Sequence, residues 1–104
     1  MRRVVFHPLA EREFIEAARF YEGRAGGLGG DYIRQVEHAL EQIAANPEAG
    51  NVLTGTLRRW VIQRFPFAIV YQSGAEELSV IAVMHLRRRP GYWKRRLGIP
   101  KQRS

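Results

Sequence analysis

The chain has 104 residues, 45% of them hydrophobic and none of them cysteine. This length predicts one domain over residues 1–104, and the lack of cysteine excludes disulfides, thiolate catalysis and cysteine-based zinc sites. The net charge is +7, but residues 1–57 carry −2 and residues 58–104 carry +9, so the second half is expected to attract polyanions or acidic proteins.

The first half of the chain predicts a strand and then a helix. The segment Arg2–His7 is short and rich in β-branched residues, which favours a strand. Pro8 suits the first turn of a helix, and apolar residues recur at helical spacing as far as Tyr21. No apolar run approaches the roughly 18 residues of a membrane span, and the N-terminus lacks a signal-peptide core. We therefore expect a cytoplasmic protein.

A second helix is predicted after a glycine-rich loop. Five glycines between residues 23 and 30 indicate a loop. The helix begins at Asp31, which can cap it, or at Leu28, and it ends at Asn46-Pro47. A short link between two helices favours an antiparallel hairpin.

Three strands are predicted in the second half, at Arg58–Arg64, Phe67–Gln72 and Glu77–Arg87. Strands joined by short links usually pair antiparallel, so these three form a meander. The predicted fold class is α+β, with the order β-α-α-β-β-β and a basic tail over residues 88–104. Its helical hairpin packs on one face of the sheet.

The last predicted strand carries a histidine whose surroundings depend on the face that it occupies. Side chains alternate along a strand, so His85 and Arg87 share one face. If Val80, Ala82 and Met84 meet the helices, His85 and Arg87 project together from the open face. The alternative is a structural histidine that bonds to backbone near the strand end.

Cations and aromatic residues alternate after this strand. Guanidinium groups can bind phosphate, and the rings of Tyr92 and Trp93 can stack on unpaired bases. In the alternative interpretation, Trp93 anchors the tail against the sheet. Further arginines lie on or beside the first strand of the meander, and one of them could pair with a glutamate of the first helix.

The three histidines lack metal-ligand spacing, so we predict no metal and no cofactor.

Three segments carry a family resemblance: Val5–Ala10, Arg64–Tyr71 with its Arg-Phe-Pro-Phe opening, and Val80–Arg96. Their order and spacing resemble the RelE/ParE superfamily of toxins from type II toxin–antitoxin systems, and the ParE-like branch is favoured. The resemblance covers nearly the whole chain. It implies a cognate antitoxin whose acidic or amphipathic segment covers the basic face, with a toxin dimer or a toxin–antitoxin heterotetramer as possible assemblies.

The favoured ParE-like function is growth inhibition by action on DNA gyrase, which needs a binding surface and no catalytic residue. The residues expected to bind the target are Arg58, Arg59, Arg88, Arg89, Trp93, Lys94, Arg95 and Arg96.

The alternative is a RelE-like, metal-independent endoribonuclease that cuts mRNA on the ribosome. In that case His85 would act as acid or base, Arg64 and Arg87 would hold the phosphate, and Tyr92 would stack or donate. Ala68 replaces an arginine that such nucleases tend to carry, which weakens this interpretation. An inactive relative or a basic nucleic-acid-binding module is a further alternative.

Overall fold

The computed structural model describes residues 2–97. It is an α+β fold in which an N-terminal strand and a helical hairpin precede antiparallel strands, as the sequence predicts. The elements in chain order are β1 (Arg3–Phe6), α1 (Pro8–Arg24), α2 (Leu28–Ala45), a 3-10 turn (Pro47–Ala49), β2 (Asn51–Thr54), β3 (Leu57–Val61), β4 (Phe67–Ser73), β5 (Glu77–His85) and a second 3-10 turn (Lys94–Leu97).

The strands form one sheet in the order β1-β5-β4-β3-β2. Strands β3, β4 and β5 make the predicted antiparallel meander. Strand β1 pairs parallel to β5, and the long connection that a parallel pair requires is supplied by the helices and the other strands. Strand β2 was not predicted. It is a short edge strand whose four residues are all exposed. Because neither of its faces is buried, its sequence Asn-Val-Leu-Thr does not show the alternation of apolar and polar residues by which a strand is recognised.

Two predicted strand ends are wrong. Strand β3 ends at Val61, and Arg64 lies in the following loop with a positive φ of 72°. Pro66 in that loop has no N–H for a strand ladder, which ends the pairing there. Strand β5 ends at His85, where the N–H of Arg88 bonds to the His85 carbonyl, so Arg87 lies beyond the strand.

Helix α2 begins at Leu28, the earlier of the two predicted starts. The carboxylate of Glu22 accepts hydrogen bonds from the N–H groups of Gly27 and Gly29, both at 3.0 Å, and so caps the helix. The hairpin packs closely here, since a Cβ on Gly29 would lie 2.6 Å from the carbonyl oxygen of Ala18. Among residues 2–97, neither helix is long and apolar enough to cross a membrane.

Each face of the sheet carries a buried cluster. The helix-covered face holds the larger one, which includes Tyr32, Ile43, Ile69, Tyr71, Val80 and Val83. The second face holds Leu57, Ala68, Val70, Ile81, Ala82 and Met84, and Trp93 covers them. Only 4% of Trp93 is exposed, so it anchors residues 86–97, which we call the C-terminal segment, to the sheet.

A β-bulge decides which face His85 occupies. Val70 pairs with Ala82 but Tyr71 pairs with Val80, which leaves Ile81 as an extra residue in β5. The alternation is reset at this point, so Ala82 faces the second layer although Val80 faces the helices. The condition that Val80, Ala82 and Met84 all meet the helices is therefore not met, and His85 does not lie on the open face. His85 lies on the helix side, 5.1 Å from the ring of Phe67.

Candidate functional site

A single carboxylate, Glu13, joins helix α1, strand β5 and the C-terminal segment. One of its oxygens accepts from the N–H of Val83 at 3.0 Å, and the other accepts from the hydroxyl of Tyr92 at 2.7 Å. Both guanidinium NH2 groups of Arg96 donate to it at 2.8 Å, in a bidentate pair. The side chains of Glu13 and Arg96 are 15% and 11% exposed, so this ion pair is largely buried.

The ion pair lies where the edge of β5 loses its neighbouring strand. Strand β1 pairs with β5 only as far as Val80, because the chain then turns into α1. Beyond that point the carboxylate of Glu13 accepts a hydrogen bond from the N–H of Val83, and Arg96 donates to the carbonyl of Ile81 at 3.2 Å. These contacts satisfy backbone groups of β5 that no longer have β1 beside them as a hydrogen-bonding partner.

Opposing effects set the protonation of this cluster. Burial by itself would raise the pKa of Glu13, but hydrogen bonds from Arg96, Tyr92 and Val83, together with the charge of Arg96, outweigh it and lower the pKa below its ordinary value. Burial and the bond to Glu13 raise the pKa of Tyr92. At neutral pH Glu13 is therefore an anion and Tyr92 a neutral donor.

A hollow of about 370 Å³ lies between α1 and β5, and we call it the helix-side hollow. Three aromatic side chains, Phe20, Tyr21 and Phe67, line it. Glu16, His85 and Arg88 line it as well. The Nδ1 atom of His85 accepts a hydrogen bond from the N–H of Arg87 at 3.0 Å. This contact corresponds to the structural histidine that the sequence left as an alternative.

Within residues 2–97, the four residues proposed for an RNA-cleaving site do not line one common hollow. His85 lines the helix-side hollow, whereas Arg64 reaches Asp31 of α2 at 3.7 Å. Tyr92 donates its hydroxyl to Glu13. Its ring centroid lies 3.8 Å from the guanidinium carbon of Arg88. Arg87 is exposed beyond β5, and within residues 2–97 it does not line the helix-side hollow.

The residues predicted to bind a target fall into several groups. Arg58 donates to the carbonyl oxygens of Glu48 and Gly50, where it supports the link between α2 and β2. Arg59 lies on the second face, beside Trp93 and Arg88. A hollow of about 580 Å³, which we call the basic hollow, brings the others together. Its cationic residues are Arg88, Arg89, Lys94, Arg95 and Arg96.

The structure assigns roles that the sequence left open or missed. The arginine that pairs with a glutamate of α1 is Arg96, instead of one of those near β3. The central position of Glu13 had no local signal, because its partners Val83, Tyr92 and Arg96 lie 70 to 83 residues away along the chain. Trp93 takes the anchoring role, and its burial leaves little surface for contact with a target.

Comparisons with known proteins agree with this architecture. The family described as "ParE toxin of type II toxin-antitoxin system, parDE" matches residues 4–90. No individually curated protein matches the sequence. A solved structure titled "Chromosomal ParDE TA system from P. aeruginosa" has 18% identity and a TM-score of 0.61, and the alignment covers 82% of this chain and 96% of that one. At this identity the likeness shows a shared fold. The family match spans most of the chain, which therefore belongs to the ParE toxin family of type II toxin–antitoxin systems.

Proposed function

We propose that this chain inhibits growth in the cytoplasm by binding DNA gyrase, and that a cognate antitoxin neutralises it. The observation that carries the proposal is the docked C-terminal segment. Its cations are presented on a surface that Glu13 and Trp93 hold against the fold. Such a surface suits a toxin that acts by binding, and membership of the ParE family supports the same target.

Binding is favoured over RNA cleavage by the positions of the candidate catalytic residues. Cleavage by the RNA 2′-hydroxyl needs an acid, a base and phosphate-binding groups around one phosphate. His85 instead shares its hollow with the carboxylates of Glu13 and Glu16. The charge of Glu16, which has no ion pair within residues 2–97, would repel a phosphate group.

The helix-side hollow supports the amphipathic kind of antitoxin segment. Phe20 is 56% exposed beside the apolar side chains that line the hollow, and charged Glu16 and Arg88 also border it. A segment with apolar residues on one face and charges beside them would fit this arrangement. We propose that such a segment places an apolar side chain in the hollow.

The target is tested by pulse incorporation of labelled thymidine and labelled methionine, side by side, within minutes of inducing the gene in growing bacteria. We expect an early fall in thymidine alone. An early fall in methionine alone would contradict the gyrase proposal and indicate mRNA cleavage. If neither label falls while folded protein accumulates, the proposed toxicity of this chain is wrong.

A further inference from the structure

The basic hollow contains an unusual concentration of positive charge. It forms between the C-terminal segment and Leu9 in the first turn of α1, and five of its nine lining residues are cationic. No acidic side chain lines it among the residues that the structure describes. The turn at Gly91, with a φ of 80°, reverses the segment and brings Lys94 and Arg95 to the same hollow as Arg89.

Most of this charge is available to a ligand. Arg96 is paired with Glu13, so its charge is already compensated. Arg89, Lys94 and Arg95 are exposed, and they take part in none of the ion pairs found within residues 2–97. Like charges held together raise the local potential and attract an anion with several charges.

The lining favours a nucleic acid over an acidic protein as that anion. Among the described residues, the apolar side chains that line the hollow, apart from the ring of Tyr92, are those of Leu9 and Pro90. Protein–protein interfaces usually have a core from which charged residues are depleted, whereas interfaces with nucleic acids are polar and strongly cationic. The composition of the hollow matches the second kind.

The aromatic side chains favour duplex over single-stranded nucleic acid. Single strands are usually held by stacking their bases on aromatic rings. Here Trp93 is buried, and the ring centroid of Tyr92 lies 3.8 Å from the guanidinium carbon of Arg88 and 5.0 Å from that of Arg96. Since these rings are already occupied, the described part of the hollow offers contacts to phosphates without a free aromatic ring on which a base could stack.

We propose that the basic hollow binds the phosphate backbone of duplex DNA without reading its sequence. The inference concerns the same cations that support the proposed action on gyrase. It goes beyond that proposal because it gives these cations a ligand, duplex DNA, that the isolated toxin binds without gyrase. Such binding would hold the toxin on the nucleic acid on which gyrase acts. Contacts made to phosphates alone give binding that depends strongly on salt and little on sequence.

The binding is measured on the full chain by fluorescence anisotropy of a labelled duplex of about 20 base pairs, between about 50 and 200 mM KCl. We expect a dissociation constant on the order of 10⁻⁶ to 10⁻⁴ M, the range of non-specific binding. The logarithm of the association constant should fall linearly with the logarithm of the salt concentration. A slope of about −3 to −4 is expected, which corresponds to cationic contacts with about four phosphates. Scrambling the sequence should leave both values unchanged.

A matched pair of variants locates the surface. The test variant removes three exposed cations of the hollow: Arg89→Ala, Lys94→Ala and Arg95→Ala. The control removes three exposed arginines of α1: Arg12→Ala, Arg19→Ala and Arg24→Ala. We expect the test variant to lose at least ~10-fold in affinity at low salt and to reduce the slope by about 2 to 3, since each phosphate contact contributes about one unit. The control should retain most of the affinity, and circular dichroism should show that both variants are folded.

Several results would overturn the proposal: equal losses in the two variants, binding without salt dependence, or no binding at the lowest salt. Tighter binding of a single strand than of the duplex would indicate stacking, and tighter binding of polyglutamate would indicate an acidic protein partner. The thymidine pulse separates this inference from the proposed function. A toxin that lowers thymidine incorporation but binds no duplex overturns only the inference, and duplex binding without any effect on thymidine overturns only the gyrase proposal.

Discussion

Replacing Glu13 by glutamine removes the negative charge of the carboxylate that accepts hydrogen bonds from Val83, Tyr92 and Arg96, while keeping the size of the side chain. Glutamine has one acceptor oxygen where the carboxylate has two, and its NH2 group would face donors from Tyr92 or Arg96. Arg96, with 11% of its side chain exposed, would then hold a largely buried charge without a counterion.

The expected cost follows from this geometry. Removing one partner of a buried ion pair typically costs 3–5 kcal/mol, and the residual exposure of this pair places E13Q near the lower end, at about 3 kcal/mol. For a domain of this size that loss lowers Tm by on the order of 10–20 °C. The measurement is urea unfolding followed by circular dichroism, with Tm from thermal scans. The control is Glu16→Gln on the same helix, since Glu16 is exposed and is expected to contribute less than about 0.5 kcal/mol.

A double variant distinguishes the ion pair from general damage to the fold. Replacing both Glu13 and Arg96 by methionine removes both charges, so no uncompensated charge stays buried. We expect the double variant to be more stable than E13Q, although it still lacks the bonds to Val83 and Ile81. If E13Q loses no more stability than Glu16→Gln, the reasoning about the Glu13–Arg96 ion pair is refuted.

The same carboxylate predicts how stability depends on pH. The pKa of Glu13 is lowered in the folded protein, and its ordinary value is 4.5. Its contribution is therefore fully present above about pH 4.5 and is lost as the pH falls through the lowered pKa. We expect the stability difference between the wild type and E13Q to shrink progressively below pH 4.5. A difference that stays constant down to pH 2 would contradict this linkage.

Three further predictions concern packing and the antitoxin. Gly29→Ala should cost about 1–3 kcal/mol in urea unfolding, because its Cβ would lie 2.6 Å from a backbone oxygen of α1. Gly30→Ala is the matched control and should not destabilise, since its nearest neighbour is a flexible arginine tip at 3.5 Å; equal losses would contradict the packing argument. Trp93→Ala should cost about 3–5 kcal/mol, the usual range for a buried tryptophan, and a loss below about 1 kcal/mol would argue against anchoring. Phe20→Glu should weaken antitoxin binding in calorimetry by at least ~10-fold, whereas Ile15→Glu outside the helix-side hollow should not; unchanged binding by Phe20→Glu would remove the hollow from the antitoxin interface.

Local patterns predicted most of the elements because their causes lie within a few residues. The proline at the start of α1, the glycines between the helices and the apolar spacing of both helices are all contained in short windows. Strand β2 escaped prediction because its four exposed residues give no periodic signal. The end of β5 was placed too late because the turn that closes it depends on a backbone bond to His85, which the run of arginines does not indicate.

The candidate site was predicted in part. The basic cluster was identified from its charges, and the structure brings Arg88, Arg89, Lys94, Arg95 and Arg96 to one hollow. The proposed grouping of His85 with Arg87 assumed that β5 continues to Arg87. The strand ends at His85, so alternation along β5 does not place Arg87 beside His85, and the bulge at Ile81 turns His85 towards the helices.

The sequence by itself determined the α+β order of elements, the helical hairpin, the charge of the C-terminal half and the toxin family, since each depends on local patterns or on motif order. Tertiary structure alone decided which face of β5 meets the helices, because the bulge at Ile81 exists only through its pairing with β4. It also decided the partners of Glu13. A carboxylate on an amphipathic helix would ordinarily be solvated, and only the ending of β1 beside β5 and the return of Tyr92 and Arg96 give it four donors in a largely buried place.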